Sequence, residues 1–379
     1  MCHSCGSTMA DTNLVCQSNE QFVRHTKDTP KNKDNSFNAT HRPTSSTVEQ
    51  THNDSLSGVG HSFRNRGLSK QATSILLASW RLSTRNEYKS YISKWLSFCR
   101  QWKISEISPT VNNVIEFLTE LYNKGHGYSS LNVARSSLSS LGISLESHAA
   151  GSHPLVIRFL KGVFNIRPPQ SRYKTIWDVN VVLTYLRALS PVRHLNLKDL
   201  TLKLVMLMAL TNAARVDTVY KLSVTGIQKF SSEFILYVDG LLKQSRPGNV
   251  CSQLSFKAFP PDRRLCVYFV LKEYLARTKL LRDKKETKLL ISYAKPHKSV
   301  SKDTVARWIK TVMIRAGIDV KVFRPHSVRV AAASKAHSKA VPIQEILQTA
   351  GWSNAGTYYK FYKKPIQEQT SFAESVLTA

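Results

Sequence analysis

Several absences narrow what this chain can be. No run approaches the roughly 18 apolar residues that a membrane-spanning helix needs, so we expect no transmembrane segment. The stretch MCHSCGSTMADTNLVC at the N-terminus has no apolar core, so we expect no secretory signal. Cysteines are few and scattered, 6 among 379 residues, which argues against a disulfide framework and favours free thiols in a reducing compartment.

The chain also lacks the motifs of several enzyme classes. It has no glycine-rich loop of the kind that cradles phosphates, no acidic constellation for a metal, and no internal repeat. Cys2 and Cys5, with Cys16 and nearby histidines, could form half of a zinc site, but a second ligand pair at a defined distance is missing. We therefore expect neither a metal nor another cofactor.

Acidic residues are scarce. The sequence contains 25 Asp and Glu against 54 Lys and Arg, a formal net charge of +29 at pH 7. The excess is concentrated in one part, because residues 1–70 hold 8 basic and 6 acidic residues whereas residues 71–379 hold 46 and 19. A folded region this basic favours a polyanionic partner, most commonly nucleic acid. The alternative is a generically basic soluble protein.

The residue pattern divides the chain into four stretches. Residues 1–70 are rich in Ser, Thr, Asn, Asp and His and lack periodicity, which predicts a disordered polar tail. Residues 71–165 show helical periodicity, and residues 166–176 contain Pro168-Pro169 among cations, which indicates an extended basic linker. Residues 177–379 form a second domain. The helices of the first domain are predicted to begin at Ser83 or Thr84, at Pro109-Thr110, at Tyr128-Ser129 and at Pro154.

The second domain is predicted to be mainly helical with a small sheet. Two helices are expected at about 178–189 and 198–213, the latter strongly apolar and buried. Residues 233–240 read as a strand, and residues 254–256 lie in a possible partner strand, with Lys243 at the hairpin tip between them. Helices follow at about 262–277 and 302–316. The fold class is therefore mainly α with a small antiparallel β-sheet.

The segment 323–365 holds the residues best suited to chemistry. Pro325 suits a first helical position, which would place His326 and Arg329 on one face of the first turn. A second apolar-periodic helix over 343–350 should end at Gly351. Trp352 follows that stop, and then a tyrosine cluster ending in Tyr362. The plainer interpretation is that the His and Arg lie on a solvated face and that the tyrosines pack.

Read in order, six positions resemble the catalytic set of the tyrosine recombinases, the phage integrase family. These are an Arg after a buried helix, a hairpin Lys, a His-x-x-Arg, a Trp after Gly and a Tyr: Arg215, Lys243, His326, Arg329, Trp352 and Tyr362. The resemblance covers about residues 75–379. Phrases such as LLKQSRPG, PHSVR and AGWSNAGTYYKFY look like recombinases of eukaryotic mobile elements, the Cryptons and DIRS-like retrotransposons.

Two positions depart from the family pattern. An acidic residue is common three positions after the first Arg, where this chain has Thr218, with Asp217 one before it. The nucleophile is typically nine residues after the His or Trp, which here falls on Phe361, so that Tyr362 lies ten positions after Trp352. Tyr362 is the expected nucleophile, and Tyr359 is the alternative.

The resemblance implies a helical DNA core-binding domain followed by a mixed α/β tyrosine-recombinase catalytic domain. It implies site-specific strand exchange through a 3′-phosphotyrosyl bond, with no ATP and no metal. Tyr362 would attack, Arg215 and Arg329 would grip the phosphate, Lys243 would protonate the leaving group, His326 would act as acid or base, and Trp352 would donate its indole N–H.

The implied partners are double-stranded DNA and three further copies of the chain, a homo-tetramer on two DNA sites, with an apolar C-terminal tail packed on a neighbour or on its own domain. Residence in the nucleus follows from that substrate. Two other readings stay open. One is a type IB topoisomerase, which rejoins the strand it cuts, and the other is a non-catalytic DNA-binding protein derived from a recombinase.

Overall fold

The computed structural model describes residues 67–243 and 253–366, together with Gly60, Phe63, Arg64, Ser245 and Gly248. Cys2, Cys5 and Cys16, nearly all of the predicted polar tail and the apolar segment after residue 366 lie outside the described residues. The chain divides into a unit of residues 1–80 and a unit of residues 81–379. In the first, helix α1 (Lys70–Ala78) begins after Ser69, whose hydroxyl accepts the N–H of Ala72.

The first hydrophobic core of the larger unit is a small helical bundle. It consists of α2 (Leu82–Trp102), α3 (Val111–Asn123), α4 (Tyr128–Ser140) and α5 (Pro154–Ile166), as predicted, plus an unpredicted hairpin of β1 (Ser144–Leu145) and β2 (His148–Ala149). Trp95 is fully buried at its centre, and its ring lies 5.1 Å from that of Phe117. The predicted cap of α2, Ser83 or Thr84, was wrong by two or three residues, because Arg81 is the N-cap residue and its side chain makes no capping bond.

The second core is assembled around the most buried helix. Helix α7 (Leu197–Thr211) is covered on all sides, and even Lys203 is fully buried, donating to the Leu186 and Leu189 carbonyls at 2.9 and 2.6 Å. This confirms the expected burial of the helix. The surrounding helices are α6 (Val179–Ala188), α8 (Val216–Tyr220), α9 (Val267–Thr278), α10 (Lys302–Arg315), α11 (Ser327–Ser338), α12 (Ile343–Ala350) and α13 (Ala355–Phe361).

A three-stranded antiparallel sheet packs against this core. Its order is β3 (Gln228–Lys229), β4 (Glu233–Tyr237) and β5 (Gln253–Lys257). Phe234 lies opposite Phe256, and along β4 only Phe234 and Leu236 are buried, which is the alternation expected of a strand with one face on the core. The sheet and the surrounding helices confirm the predicted fold class, and the β4–β5 connection carries Lys243.

Two local expectations in the last third needed correction. Helix α11 begins at Ser327, so His326 is its N-cap residue and does not lie within the first turn. Arg329 is the third residue of the helix, and its side chain points inward rather than lying beside that of an exposed His326. No helix was predicted after Gly351, yet the tyrosines lie on α13, which Asn354 caps by accepting the N–H of Gly356 at 2.6 Å.

Helices long and apolar enough to cross a membrane do not occur in the described ranges. Within the same ranges, no group of three or more His, Cys, Asp and Glu side chains is placed to hold a metal ion. Cys99 and Cys266 are buried free thiols, and burial, followed by the charge of Glu106, raises the pKa of Cys99 to about 11. At neutral pH Cys99 is therefore a packing residue.

A buried arginine ties three of these elements together. Arg329 of α11 is 2% exposed. One terminal nitrogen donates to the Ala213 carbonyl, just beyond α7, and the other to the Ala350 carbonyl, the last residue of α12, both at 2.6 Å. Carbonyl groups at helix C-termini carry partial negative charge, which suits a guanidinium. The planar fork therefore fixes the ends of α7 and α12 against α11.

This arrangement predicts a large effect of removing the guanidinium. Arg329→Met keeps the apolar volume but leaves two buried carbonyls without a donor, so we expect a loss of about 2–5 kcal/mol of unfolding free energy. The unfolding free energy of Arg329→Lys should lie between those of wild type and Arg329→Met, because one ammonium cannot reproduce the two hydrogen bonds of the guanidinium fork. The measurement is urea-induced unfolding, in which the midpoint concentration reports the change in unfolding free energy. Arg324→Met, at an exposed arginine five residues earlier, is the matched control and should change the free energy by no more than about 0.5 kcal/mol.

Candidate active site

Arg215 lies two residues beyond Ala213, whose carbonyl accepts from the buried Arg329. Ala213 adopts a positive φ of 40°, and the chain then turns so that Arg215 becomes the half-buried N-cap residue of α8. Burial, and next the positive charge of Arg215, lower the pKa of Arg329. The carboxylate of Asp217 pairs with Lys221 at 3.1 Å.

Lys243 lies on the turn that leaves β4. The Ser245 N–H donates to the Leu242 carbonyl at 3.0 Å, and the Leu242 N–H donates to the Ser245 hydroxyl at 2.9 Å. Leu242 and Ser245 are buried, whereas Lys243 is exposed. The turn is thus anchored at both ends and presents the lysine to solvent.

His326 faces the tyrosine at the end of α13. Its Nε2 lies 3.5 Å from the Tyr362 hydroxyl oxygen, and the two ring centroids are 6.1 Å apart. The backbone carbonyl of Tyr362 accepts from the Ser334 hydroxyl at 2.9 Å, which ties the end of α13 to α11. The pair is therefore held by two helices that already contact one another.

The three neighbouring tyrosines occupy different surroundings. Tyr358 is fully buried, and burial, followed by the charge of Tyr359, raises its pKa to about 12. Tyr359 is 48% exposed and its ring contacts Tyr358 and His337. Tyr362 is half-buried beside His326, and the Arg329 guanidinium lies 5.6 Å from its ring centroid. Of these three, Tyr362 is the one placed among the predicted site residues.

The ring of Trp352 packs against the ring of Tyr362. Gly351 is the C-cap residue of α12, and its positive φ of 65° is a conformation that glycine adopts without strain because it has no Cβ atom. The Trp352 N–H then donates to the Leu347 carbonyl at 2.8 Å. Its ring lies 4.3 Å from that of Tyr362 and 4.2 Å from the guanidinium carbon of Arg329. The buried Nε atoms of Trp352 and Arg329 have no hydrogen-bond partner among the described residues.

Positive charge dominates the electrostatics of the site. The pKa of His326 is lowered to about 4, first by desolvation and then by the charges of Arg329, Arg215, Arg172 and Lys243. A histidine surrounded in this way is neutral at pH 7. Acidic side chains are not among these causes, so the site is arranged to receive an anion.

Arg172, which the sequence interpretation assigned only to the linker, contributes to the lowered pKa of His326. It is exposed, and Tyr173 next to it is buried with its ring 5.5 Å from that of Phe323. The Tyr173 hydroxyl accepts the N–H of Arg324 at 3.2 Å. The linker is thus pinned beside the turn that precedes His326. The cations flanking Pro168-Pro169 were the available signal, but nothing in the sequence shows which of them meets the site.

The same linker also contacts the chain beyond the tyrosine. The Trp177 indole donates to the Ser327 hydroxyl at 2.9 Å, and the Ile176 N–H donates to the Pro365 carbonyl at 2.9 Å. Ile176 also forms a parallel bridge with Ile366. Residues 173–177 therefore fix both the start of α11 and the segment that follows Tyr362.

Comparisons with known proteins agree with this architecture. XerH site-specific recombinase bound to palindromic difH substrate, in its post-cleavage complex, superposes with a TM-score of 0.55 at 13% identity over 83% of this chain and 96% of that one. The pre-cleavage complex of XerH gives a TM-score of 0.54 at 13% identity over 87% and 96%. At such identities the likeness is one of fold. The comparison with curated proteins gave no match.

The sequence of the second core also matches a family model. Residues 184–368 match the phage integrase family, and this range contains all six positions singled out from the sequence. The described geometry brings these six side chains around one cationic cluster. Residues 184–368 thus form a domain that matches the phage integrase family, which supports a recombinase enzyme of the tyrosine recombinase class.

Proposed function

We propose that this recombinase exchanges DNA strands at specific sites through a covalent 3′-phosphotyrosyl intermediate, and so integrates or excises a mobile element of the Crypton or DIRS-like kind. The convergence of the Tyr362 hydroxyl and the His326 imidazole, 3.5 Å apart, within a cluster of cations carries this proposal. A phenol, a neutral base and fixed cations are the groups that attack on a phosphodiester requires.

Attack begins at the Tyr362 hydroxyl. Its oxygen forms a bond to the DNA phosphorus while its proton passes to Nε2 of His326. The lowered pKa of His326 supports this role, because the ring is neutral at pH 7 and can accept a proton. Once DNA is bound, a phosphate charge beside the ring would offset the surrounding cations and raise its pKa toward that of a working base.

The pentacoordinate phosphorus carries added negative charge, which two guanidinium groups would stabilise. Arginine stays protonated in proteins, and Arg215 would hold phosphate oxygens in its planar fork. The terminal nitrogens of Arg329 bind the Ala213 and Ala350 carbonyls, so Arg329 would contribute its charge and its Nε–H. Each such donor typically contributes about 10²–10³ in rate. The buried Nε atoms of Arg329 and Trp352 support this assignment, since a phosphate oxygen is an acceptor of the kind they need.

The bond from phosphorus to the 5′-oxygen then breaks, and that oxygen needs a proton. Lys243 would supply it, because an exposed ammonium on a turn can reach the oxygen and give up a proton, which an arginine cannot do. Reversal of these steps with the 5′-hydroxyl of another strand completes the exchange. The P–O bonds formed and broken balance, so the reaction requires no ATP.

Double-stranded DNA is the proposed partner of the whole folded region. The net charge of residues 71–379 supports binding mainly through phosphates, with the bundle of α2 to α5 and the basic linker on the duplex. Strand exchange between two sites requires four active sites, so we propose a homo-tetramer on two DNA sites. Residence in the nucleus is proposed only as a consequence of this substrate.

A covalent-adduct assay tests the nucleophile. The probe is a pool of duplexes with randomised sequence, labelled at the 5′ end of the cut strand and nicked so that the short 5′-hydroxyl fragment diffuses away. We expect a detergent-stable adduct with the wild-type chain, none above background with Tyr362→Phe, and an unchanged adduct with Tyr359→Phe, because only Tyr362 contacts His326.

Other outcomes of that assay select the other readings. An adduct that disappears in Tyr359→Phe and survives in Tyr362→Phe would move the nucleophile. Relaxation of supercoiled plasmid without exchange between two sites would favour the topoisomerase reading. Salt-dependent DNA binding with no adduct in any variant would leave a non-catalytic DNA-binding protein.

The protonation state of His326 is a separate prediction. In the free protein its ring signals should stay those of a neutral imidazole when the pH is lowered from 8 to 5, because its pKa is about 4. Arg215→Gln removes one of the cations that disfavour the imidazolium, so the pKa should rise toward 6.5. Proton NMR titration measures this. Arg315→Gln, whose partner is Asp199, is the control and should leave the His326 titration unchanged. A wild-type pKa near 6.5 would contradict the arrangement.

A further inference from the structure

Arg81 lies at a helix N-cap, but its side chain bonds to a distant part of the chain and does not cap the helix. It is the N-cap residue of α2, a position that favours Ser, Thr, Asp and Asn because their oxygens accept backbone N–H groups. The Arg81 side chain makes no such bond. One terminal nitrogen instead donates to the Leu242 carbonyl, 161 residues away, and the other to the Ser245 carbonyl at 2.6 Å.

Those two carbonyls bracket Lys243. Leu242 and Ser245 are the buried ends of the turn, joined by the hydrogen bonds between Ser245 and Leu242, and Lys243 is its exposed member. A guanidinium presents its donors in a rigid plane, so holding both carbonyls sets the tilt of the turn as well as its place. The Leu242 carbonyl accepts from both Ser245 and Arg81, which leaves it no lone pair to spare.

The opposite side of the turn is tied to the helix that begins at Arg215. Lys221, at the C-terminal end of α8, donates to the Leu241 carbonyl at 2.6 Å while its ammonium also pairs with Asp217 at 3.1 Å. The Asp239 N–H donates to the Lys221 carbonyl at 2.8 Å. The turn is therefore held from two directions, from α8 of the second core and, through Arg81, from the first helix of the bundle.

We propose that Arg81 is a positioning residue for Lys243, through which the bundle of α2 to α5 holds the proton donor in its reactive place. This inference rests on the proposed role of Lys243 in the cleavage step. Misplacing a catalytic group by about 1 Å can lower a rate on the order of 10²-fold. Protonation of the leaving group thus depends on the position of α2 relative to the Lys243 turn. A chain whose bundle is displaced from that position would cleave slowly even where the second core binds DNA.

The test uses a leaving group that needs no proton. In one nicked duplex the bridging 5′-oxygen at the scissile phosphate is replaced by sulfur, and a matched duplex keeps oxygen. A thiolate departs unprotonated, so a defect confined to proton donation disappears on the sulfur duplex. Single-turnover adduct rates are measured for wild type, Lys243→Ala, Arg81→Ala, Arg81→Lys and Arg215→Ala on both duplexes.

On the oxygen duplex we expect the adduct rate to fall about 10²–10⁴-fold in Lys243→Ala and about 10–10²-fold in Arg81→Ala. Both should come within a few-fold of wild type on the sulfur duplex, and that recovery would itself show that the variants are folded. Arg81→Lys should be partly defective on oxygen only. Arg215→Ala should stay defective on both duplexes, because sulfur does not replace a phosphate contact.

Arg277→Gln is the matched control, an arginine whose guanidinium also binds backbone carbonyls, those of Leu195 and Arg193, outside the lysine turn. Its ratio of oxygen to sulfur rates should equal that of wild type. An Arg81→Ala defect of the same size on both duplexes, or no defect on oxygen, would overturn the inference while leaving the role of Lys243 intact. An unrescued Lys243→Ala would instead remove the proton-donor role, and with it the basis for Arg81.

Discussion

The burial of one positive charge organises this structure. Arg329 is 2% exposed, and a guanidinium removed from water is stable only where acceptors surround it. The carbonyls beyond α7 and at the end of α12 provide them, and the Trp352 ring covers one face. Because each acceptor lies two residues before another site residue, satisfying this charge also places Arg215 and Trp352. The same contacts that stabilise the core thus build the phosphate site.

The cations of the site affect one another. Arg215 lowers the pKa of Arg329, and four cations lower the pKa of His326. Like charges gathered in one place repel each other, and a phosphate diester relieves that repulsion. The excess charge of residues 71–379 extends the same preference over the surface, so DNA binding should weaken steeply with salt. Tolerance of this repulsion is what the folded chain would contribute to the proposed reaction, which adds negative charge to phosphorus.

The two hydrophobic cores meet the site at separate points. Residues 173–177 fix the start of α11 and the segment beyond Tyr362, while Arg81 fixes the turn that carries Lys243. One connection therefore serves the nucleophile and the other serves the proposed proton donor. Both come from the sequence on the N-terminal side of α6, although the family match begins only at residue 184. The proposed phosphate-binding residues and these two connections thus belong to different parts of the chain.

The sequence by itself determined the fold class, most of the helices and the six candidate residues, because strong periodicity and the order of chemical types are local properties of a chain. It left Tyr362 and Tyr359 as alternatives. Tertiary structure gives them different surroundings: Tyr358 is buried, Tyr362 at the C-cap of α13 lies beside His326, and Tyr359 is 48% exposed.

The short helix α13, the N-cap position of His326, and the roles of Arg172 and Arg81 were likewise decided only in the fold. Each depends on contacts between distant parts of the chain, which no local pattern encodes. The clearest case is Arg81, whose two acceptors lie more than 160 residues away.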